Sequence, residues 1–257
     1  MARLRAPDGC PWDRAQTLAS LRPFLLEETY EALEALDAAD PAALCEELGD
    51  LLFEIVFMAR IAQEQGDFSV TDAIDGIARK LVHRHPHVFG DAEKLESAQQ
   101  VLGNWEELKA AERETAGTQK MLLDGVPRTL PALLRAYEYG SRAAAVGFDW
   151  TRADDVLEKI EEEVAELRMA IAARERVNSP AVDEQVEEEL GDFLFAVANL
   201  SRKLGVEPET ALRRANDKFR KRFTAIEARI TSRGERMQDL SLDELEAEWQ
   251  EVKRIDR

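Results

Sequence analysis

One acidic pattern occurs twice in this chain, in the same order and with similar spacing, and this repetition limits the possible folds more than any other feature. The first copy is Glu27, Glu28 and Glu31 followed by Glu46, Glu47 and Asp50; the second is Glu162, Glu163 and Glu166 followed by Glu188, Glu189 and Asp192. On a helix, carboxylates at i, i+1 and i+4 share an arc of roughly 100°. Each copy therefore brings two acidic helix faces together, an arrangement that is costly unless a cation neutralises it. Ligand sets made only of oxygen, with no His or Cys, suit Mg²⁺ or Mn²⁺.

The copies agree beyond the acids. Lys80 and Arg84 form an i, i+4 basic pair downstream of the first motifs, as Lys218 and Arg222 do downstream of the second. Trp105 and Lys109 make a Trp-x-x-x-Lys, and so do Trp249 and Lys253; Trp12 and Trp150 precede the first acidic motif of each copy. Self-similarity in the same order over this length indicates an internal duplication. The segment 116–131 is the best boundary, which divides the chain into repeats 1–119 and 120–257.

The remaining composition fits a helical, cytoplasmic protein. At 257 residues and 45% hydrophobic content, each half can build a core without disulfides, and Cys10 and Cys45 are too few for a disulfide framework. No apolar run approaches a membrane span, and charged residues interrupt the N-terminus where a signal peptide would be apolar. The net charge of −18 argues against general nucleic-acid binding and repels a nucleotide at long range. A nucleotide site here needs local cations or a bound metal to reverse the field.

Periodicity near 3.6 residues predicts helices at 16–38, 41–65, 70–84 and 97–115 in the first half. In the second half it predicts helices at 129–145, 152–176, 181–204, 208–232 and 241–255. Pro and Gly punctuate the gaps, and Ser241 with Glu244 reads as a capping box. No alternating stretch demands a sheet, so the expected class is all-α.

Helix geometry sorts the acids. Val156, Ile160, Val164, Leu167 and Ile171 form an apolar stripe, as do Leu190, Phe193, Leu194, Val197, Leu200 and Leu204 on the next helix. Glu163, Glu166, Glu189 and Asp192 border these stripes, where side chains are held firmly and hydrated least. They are the expected metal ligands. Glu162 and Glu188 lie farther out, placed to support the ligands or activate water. The equivalent set in the first half is Glu28, Glu31, Glu47 and Asp50.

Each feature also has an ordinary explanation. A Glu-rich helix is usually a solvated face, Lys218 and Arg222 alone are simply exposed cations, and Trp249 alone is more often core than a stacking platform. Duplication in register is what favours the chemical reading. His83, His85 and His87 have no counterpart in the second copy, and Pro86 breaks the helix among them, so they are not read as a metal site. Cys10 and Cys45 have no basic partner in sequence and are not read as catalytic thiols.

The motifs resemble those of the MazG nucleoside triphosphate pyrophosphohydrolases, within the all-α NTP pyrophosphatase superfamily. The resemblance runs over essentially the whole chain. It is carried by Gly9-Cys10-Pro11-Trp12-Asp13, Leu26-Glu27-Glu28-Thr29-Tyr30-Glu31, Gly49-Asp50-Leu51-Leu52-Phe53 and Arg84-His85-Pro86-His87-Val88-Phe89. In the second half it is carried by Val146-Gly147-Phe148-Asp149-Trp150, Glu188-Glu189-Leu190-Gly191-Asp192 and Trp249-Gln250-Glu251-Val252-Lys253.

The resemblance implies tandem MazG-type helical domains that form four-helix-bundle-like arrangements on homodimerisation. It implies hydrolysis of ribo- and deoxyribonucleoside triphosphates to the monophosphate and pyrophosphate, with Mg²⁺ or, in its place, Mn²⁺, in nucleotide-pool cleaning. Catalysis is expected chiefly in the second repeat, through Glu162, Glu163, Glu166, Glu188, Glu189, Asp192, Lys218 and Arg222. Lys159, Lys218, Phe219, Arg222, Trp249 and Lys253 are the expected nucleotide contacts. Gln185 departs from the family where a lysine can contact phosphate. Glu28, Glu31, Glu47, Asp50, Lys80, Arg84, Trp105 and Lys109 make a second candidate site. Two alternatives are a narrow pyrophosphatase for one nucleotide, such as dUTP, dCTP or a damaged base, and a helical protein that regulates a partner. A di-iron bundle would need Glu-x-x-His, which neither motif contains.

Overall fold

The computed structural model describes residues 1–90, 97, 100–101, 121–177 and 179–255. They belong to two units, Met1–Thr118 and Gln119–Arg257. Among the described residues there is no strand, in keeping with the all-α expectation. No described helix is long and apolar enough to cross a membrane.

In the first unit the helices are α1 (Pro11–Ala15), α2 (Arg22–Ala38), α3 (Pro41–Gln65), α4 (Val70–Arg84) and α5 (Pro86–Phe89). Sequence sets their ends. The Asp40 carboxylate accepts from the Ala42 and Ala43 amides at 2.9 and 3.2 Å and starts α3. Gly66, at φ 82°, closes it in a left-handed conformation. Ser69 and Asp72 form a capping box that starts α4, and α4 stops at Arg84 ahead of Pro86. The helix expected from residue 16 begins instead at Arg22. Thr17 and Ser20 exchange side-chain and backbone hydrogen bonds of 2.9 and 3.2 Å, which hold a turn there in place of helix. The helix expected at 97–115, with Trp105 and Lys109, lies almost wholly outside the described residues.

Helix α2 packs on α3 as a hairpin. Leu21, Phe57 and Ile61 form a buried cluster, with Leu18, Phe24 and Met58 packed around it. Glu54, on the buried face of α3, is 5% exposed and its Oε2 has no hydrogen-bond partner. Burial pushes its carboxyl above the ordinary glutamate range. A raised folded-state pKa means that the ionised form opposes folding at neutral pH, and stability recovers as pH falls through that pKa. Glu54→Gln is therefore expected to stabilise the chain at pH 7 by about 1 kcal/mol, with the gain vanishing near pH 4. Thermal melts of both proteins across that range check this.

The second unit contains α6 (Ala132–Ala145), α7 (Ala153–Arg176), α8 (Pro180–Lys203), α9 (Pro208–Ser232), a 3₁₀ turn (Met237–Asp239) and α10 (Leu242–Ile255). These match the predicted spans to within three residues at each end. Ser241 and Glu244 make the expected capping box, with bonds of 2.8 and 3.3 Å. Helix α7 packs on α8, α6 also packs on α8, and α9 packs on α10 and α6. Ile226, Ile230 and Val252 hold α9 and α10 together.

The stripes are arranged differently from the sequence expectation. On α7 the buried residues are Val156, Glu163 and Ala170, and on α8 they are Ala196, Ala198 and Asn199. The buried line on α7 therefore has a seven-residue spacing and passes through Glu163 rather than along the bulky apolar stripe. Much of the bulk faces outward: Ile171, Leu190, Leu194 and Leu204 are between 43% and 61% exposed.

Candidate metal and nucleotide site

The α7–α8 seam gathers carboxylates from both helices. Oxygens of Glu163 and Glu166 from α7 and Glu189 from α8 all lie within 4.8 Å of one another. In the first unit Glu28 from α2, with Glu47 and Asp50 from α3, does the same. Each hairpin thus assembles three of its four expected ligands. Asp192 and Glu31 are exposed and stand outside these triads, and Glu162 and Glu188 are exposed as well.

Electrostatics mark both clusters. Partial burial, with Glu189 and Glu163 nearby, raises the Glu166 carboxyl above its ordinary value. Burial, with Glu31, Asp50 and Glu47 nearby, raises Glu28, and burial with Glu31 and Glu46 raises Glu47. Glu163 is 5% exposed and its Oε2 is buried without a hydrogen-bond partner. A buried carboxylate oxygen with no donor, beside two more carboxylates, fits a hard divalent cation.

Lys159 distinguishes the second triad. Its ammonium donates to Glu163 Oε1 at 2.8 Å and to Glu162 Oε2 at 3.2 Å, one helical turn on. Bonding to these two carboxylates raises the lysine pKa. The equivalent position in the first unit, four residues before Glu28, is Phe24, which packs against the Leu21–Phe57–Ile61 cluster. Counting in register from the acidic motifs would have exposed this difference from sequence alone.

The basic residues occupy other helices. Lys218 is exposed and Arg222 half-buried on α9, inside a helix that continues to Ser232. Arg222 lines a cavity of about 420 Å³ between α9 and α10, with Lys221, Arg229 and Val252. Phe219 lies 5.3 Å from Trp249 and 5.6 Å from Phe223, ring centre to ring centre. Trp249 is half-buried against the Ile226–Val252 cluster, so part of its work is packing, and Lys253 is half-buried one turn on. In the first unit Lys80 is exposed, and Arg84 is the last residue of α4. His85 and His87 lie with rings 5.7 Å apart and, like His83, belong to neither carboxylate triad.

The loop before α7 is pinned by charge. Asp149 accepts from Arg202 and from Lys203, the latter at 2.6 Å, and Lys203 also donates to the Trp150 carbonyl. Burial alone would raise the Asp149 carboxyl, but the two cations outweigh it and hold the carboxyl below the ordinary aspartate range. A depressed folded-state pKa gives stability that is present above the unfolded value and lost as pH falls through the folded one. Asp149→Ala is expected to cost about 1–3 kcal/mol at pH 7. Denaturant titrations should show the difference from wild type shrinking below about pH 4.

The model of the MazG nucleotide pyrophosphohydrolase domain matches this chain twice, at residues 16–89 and 152–225. The nucleoside triphosphate pyrophosphohydrolase of Escherichia coli K12 is 47% identical over 255 residues, spanning 99% of this chain and 94% of that protein. The nucleoside triphosphate pyrophosphohydrolase/pyrophosphatase MazG of Thermotoga maritima is 43% identical over 254 residues, spanning 98% of this chain and 92% of that protein. Two domain matches on the two acidic hairpins, with such identity over nearly the full length, show that the chain belongs to the MazG family of nucleotide pyrophosphohydrolases.

Proposed function

We propose that the chain hydrolyses ribo- and deoxyribonucleoside triphosphates to the monophosphate and pyrophosphate with Mg²⁺, for which Mn²⁺ substitutes. The second unit carries most of the turnover. That the chain is a pyrophosphohydrolase rests on its family membership. The single observation behind the site is the Glu163–Glu166–Glu189 cluster with its donorless buried oxygen.

Glu163, Glu166 and Glu189 would hold the metal, joined by Asp192 one turn farther along α8. Bound Mg²⁺ supplies positive charge to phosphate oxygens and lowers the pKa of water. Glu162 and Glu188, exposed beside the cluster, orient and deprotonate the attacking water. Lys218 and Arg222 present two cations to the polyphosphate from one rigid helix face, where positioning and charge stabilisation account for most of phosphoryl-transfer catalysis. Phe219, Trp249 and Lys253 extend that contact.

A second copy of the chain completes the assembly in this reading. Leu157, Leu190 and Leu194 leave apolar surface on the α7–α8 pair, each 43–45% exposed. Such a face favours pairing with another helix pair into a four-helix bundle. Sedimentation equilibrium is expected to give a dimer.

The decisive experiment is Mg²⁺-dependent turnover of the eight common nucleotides, with products identified. Pyrophosphate from most of them is the expected result. Inorganic phosphate as product would sink the reading, and turnover of one nucleotide alone would replace it with a narrow specificity. Arg222→Ala is expected to weaken triphosphate binding about tenfold and monophosphate binding much less. Equal losses in calorimetric titrations of both would remove the polyphosphate role.

A further inference from the structure

Position 199 separates the two halves of the molecule. Phe57 lies seven residues after Asp50 and Asn199 seven after Asp192, while Phe53 and Phe195 each lie three after. In the first unit Phe57 is fully buried, and its ring centre lies 6.4 Å from that of Trp12 and 5.7 Å from that of Phe53. Phe24 adds a further edge contact to Trp12, at 5.7 Å. Aromatic rings thus fill that position.

In the second unit the same helix position borders a cavity of about 370 Å³, lined among others by Tyr139, Phe148, Trp150, Phe195, Asn199 and Arg202. Asn199 is 2% exposed. Its amide donates to the Phe195 carbonyl and accepts from Arg202 Nε, both at 3.4 Å, near the outer limit of a hydrogen bond. A carboxamide offers two donors and two acceptor lone pairs, so Asn199 has capacity to spare. Gly140 on α6 makes room for it: a Cβ there would come within 2.3 Å of Asn199 Oδ1. The Trp150 wall is anchored, since Lys203 holds its carbonyl and, with Arg202, the neighbouring Asp149.

Aromatic walls around a buried, underused carboxamide suit a flat heteroaromatic ring with a polar edge. The helix links this cavity to the acids. Asn199 stands about 10 Å along α8 from Asp192 and about 15 Å from Glu189, within about 20° of Asp192 around the axis. One nucleotide can span that interval, with its polyphosphate at the acidic end.

We propose that this cavity receives the base of the nucleotide, with Asn199 hydrogen-bonding its edge and Trp150 and Phe195 forming its walls. The proposal rests on the reading of the acidic cluster as the nucleotide-hydrolysing site. A carboxamide presents donor and acceptor together and can turn to exchange them, so one pocket serves purines and pyrimidines alike.

The test uses the full chain with Mg²⁺ and two probes: α,β-methylene-ATP, which keeps the base, and inorganic tripolyphosphate, which lacks it. Asn199→Phe installs the residue of the first repeat and fills the cavity. The affinity for α,β-methylene-ATP should fall about tenfold or more, with KM for ATP rising in parallel, while tripolyphosphate binding stays within about twofold. Unchanged nucleotide affinity overturns the proposal, as does an equal loss for both probes. If Asn199→Phe melts early, Asn199→Ala, which cannot overfill the site, decides by the same comparison. Its expected loss is severalfold and confined to the nucleotide. A wild-type chain that binds the analogue but never hydrolyses ATP overturns the catalytic reading alone, and one that binds no nucleotide overturns both.

Discussion

Glu189→Gln is expected to lower pyrophosphate release from ATP by about a hundredfold or more, with helix content and melting temperature little changed. The substitution keeps the side chain's size and its place on α8 but deletes one charge from a cluster whose oxygens lie within 4.8 Å. Removing a like charge from such a cluster relieves repulsion, so the loss of turnover cannot be ascribed to unfolding. The first unit has its own cluster, so the same change is combined with Glu47→Gln. Retained activity in the single variant that disappears in the double assigns turnover to the first unit. Full activity in the folded double variant removes both clusters from the mechanism.

Most of the turnover is expected in residues 124–257 when that segment and residues 1–119 are expressed separately and assayed with ATP and Mg²⁺. Three differences support this. The second cluster has Lys159 where the first has Phe24. Lys218 and Arg222 sit inside a helix that runs on to Ser232, whereas Arg84 is the last residue of α4. A cation within a continuing helix is held more firmly than one at its end. Asn199 borders a cavity where Phe57 is packed solid. Higher activity in 1–119, with both fragments folded and dimeric, reverses the assignment.

Much of the helical layout was legible in the sequence because its signals are local. Pro41, Gly66, Pro86, Pro208 and the Ser241–Glu244 box act within one turn, and most helix ends fell where they pointed. The start of α2 was missed because Thr17 and Ser20 compete for backbone groups in a way periodicity does not register. Both acidic clusters were legible in outline, since i, i+1 and i+4 spacing fixes which oxygens share a face. The seam was not. Amphipathicity predicts that bulky apolar residues turn inward, yet the buried positions are Val156, Glu163 and Ala170 on α7 and Ala196, Ala198 and Asn199 on α8, while Leu190 and Leu194 stay exposed. Which face is covered depends on the neighbouring helices, and periodicity along one helix does not register them. Lys159 and Asn199 were readable only by comparing the repeats where they differ, whereas attention to shared residues passes over them.

The Lys159 contacts have a consequence for how variants at this site are interpreted. Its ammonium is the counter-charge of a carboxylate whose side chain is only 6% exposed. Deleting the lysine therefore does two things at once: it removes a cation from the neighbourhood, and it strands a buried anion, which is the costlier change. Lost activity in Lys159→Ala has no single origin, and its free energy will not add to that of changes at Glu163 or Glu162. The informative quantity is the coupling in a cycle with Glu163→Gln, where the stranded charge is gone. Whatever defect Lys159→Ala still adds in that background is free of the stranded buried anion and reports the lysine together with its contact to the exposed Glu162.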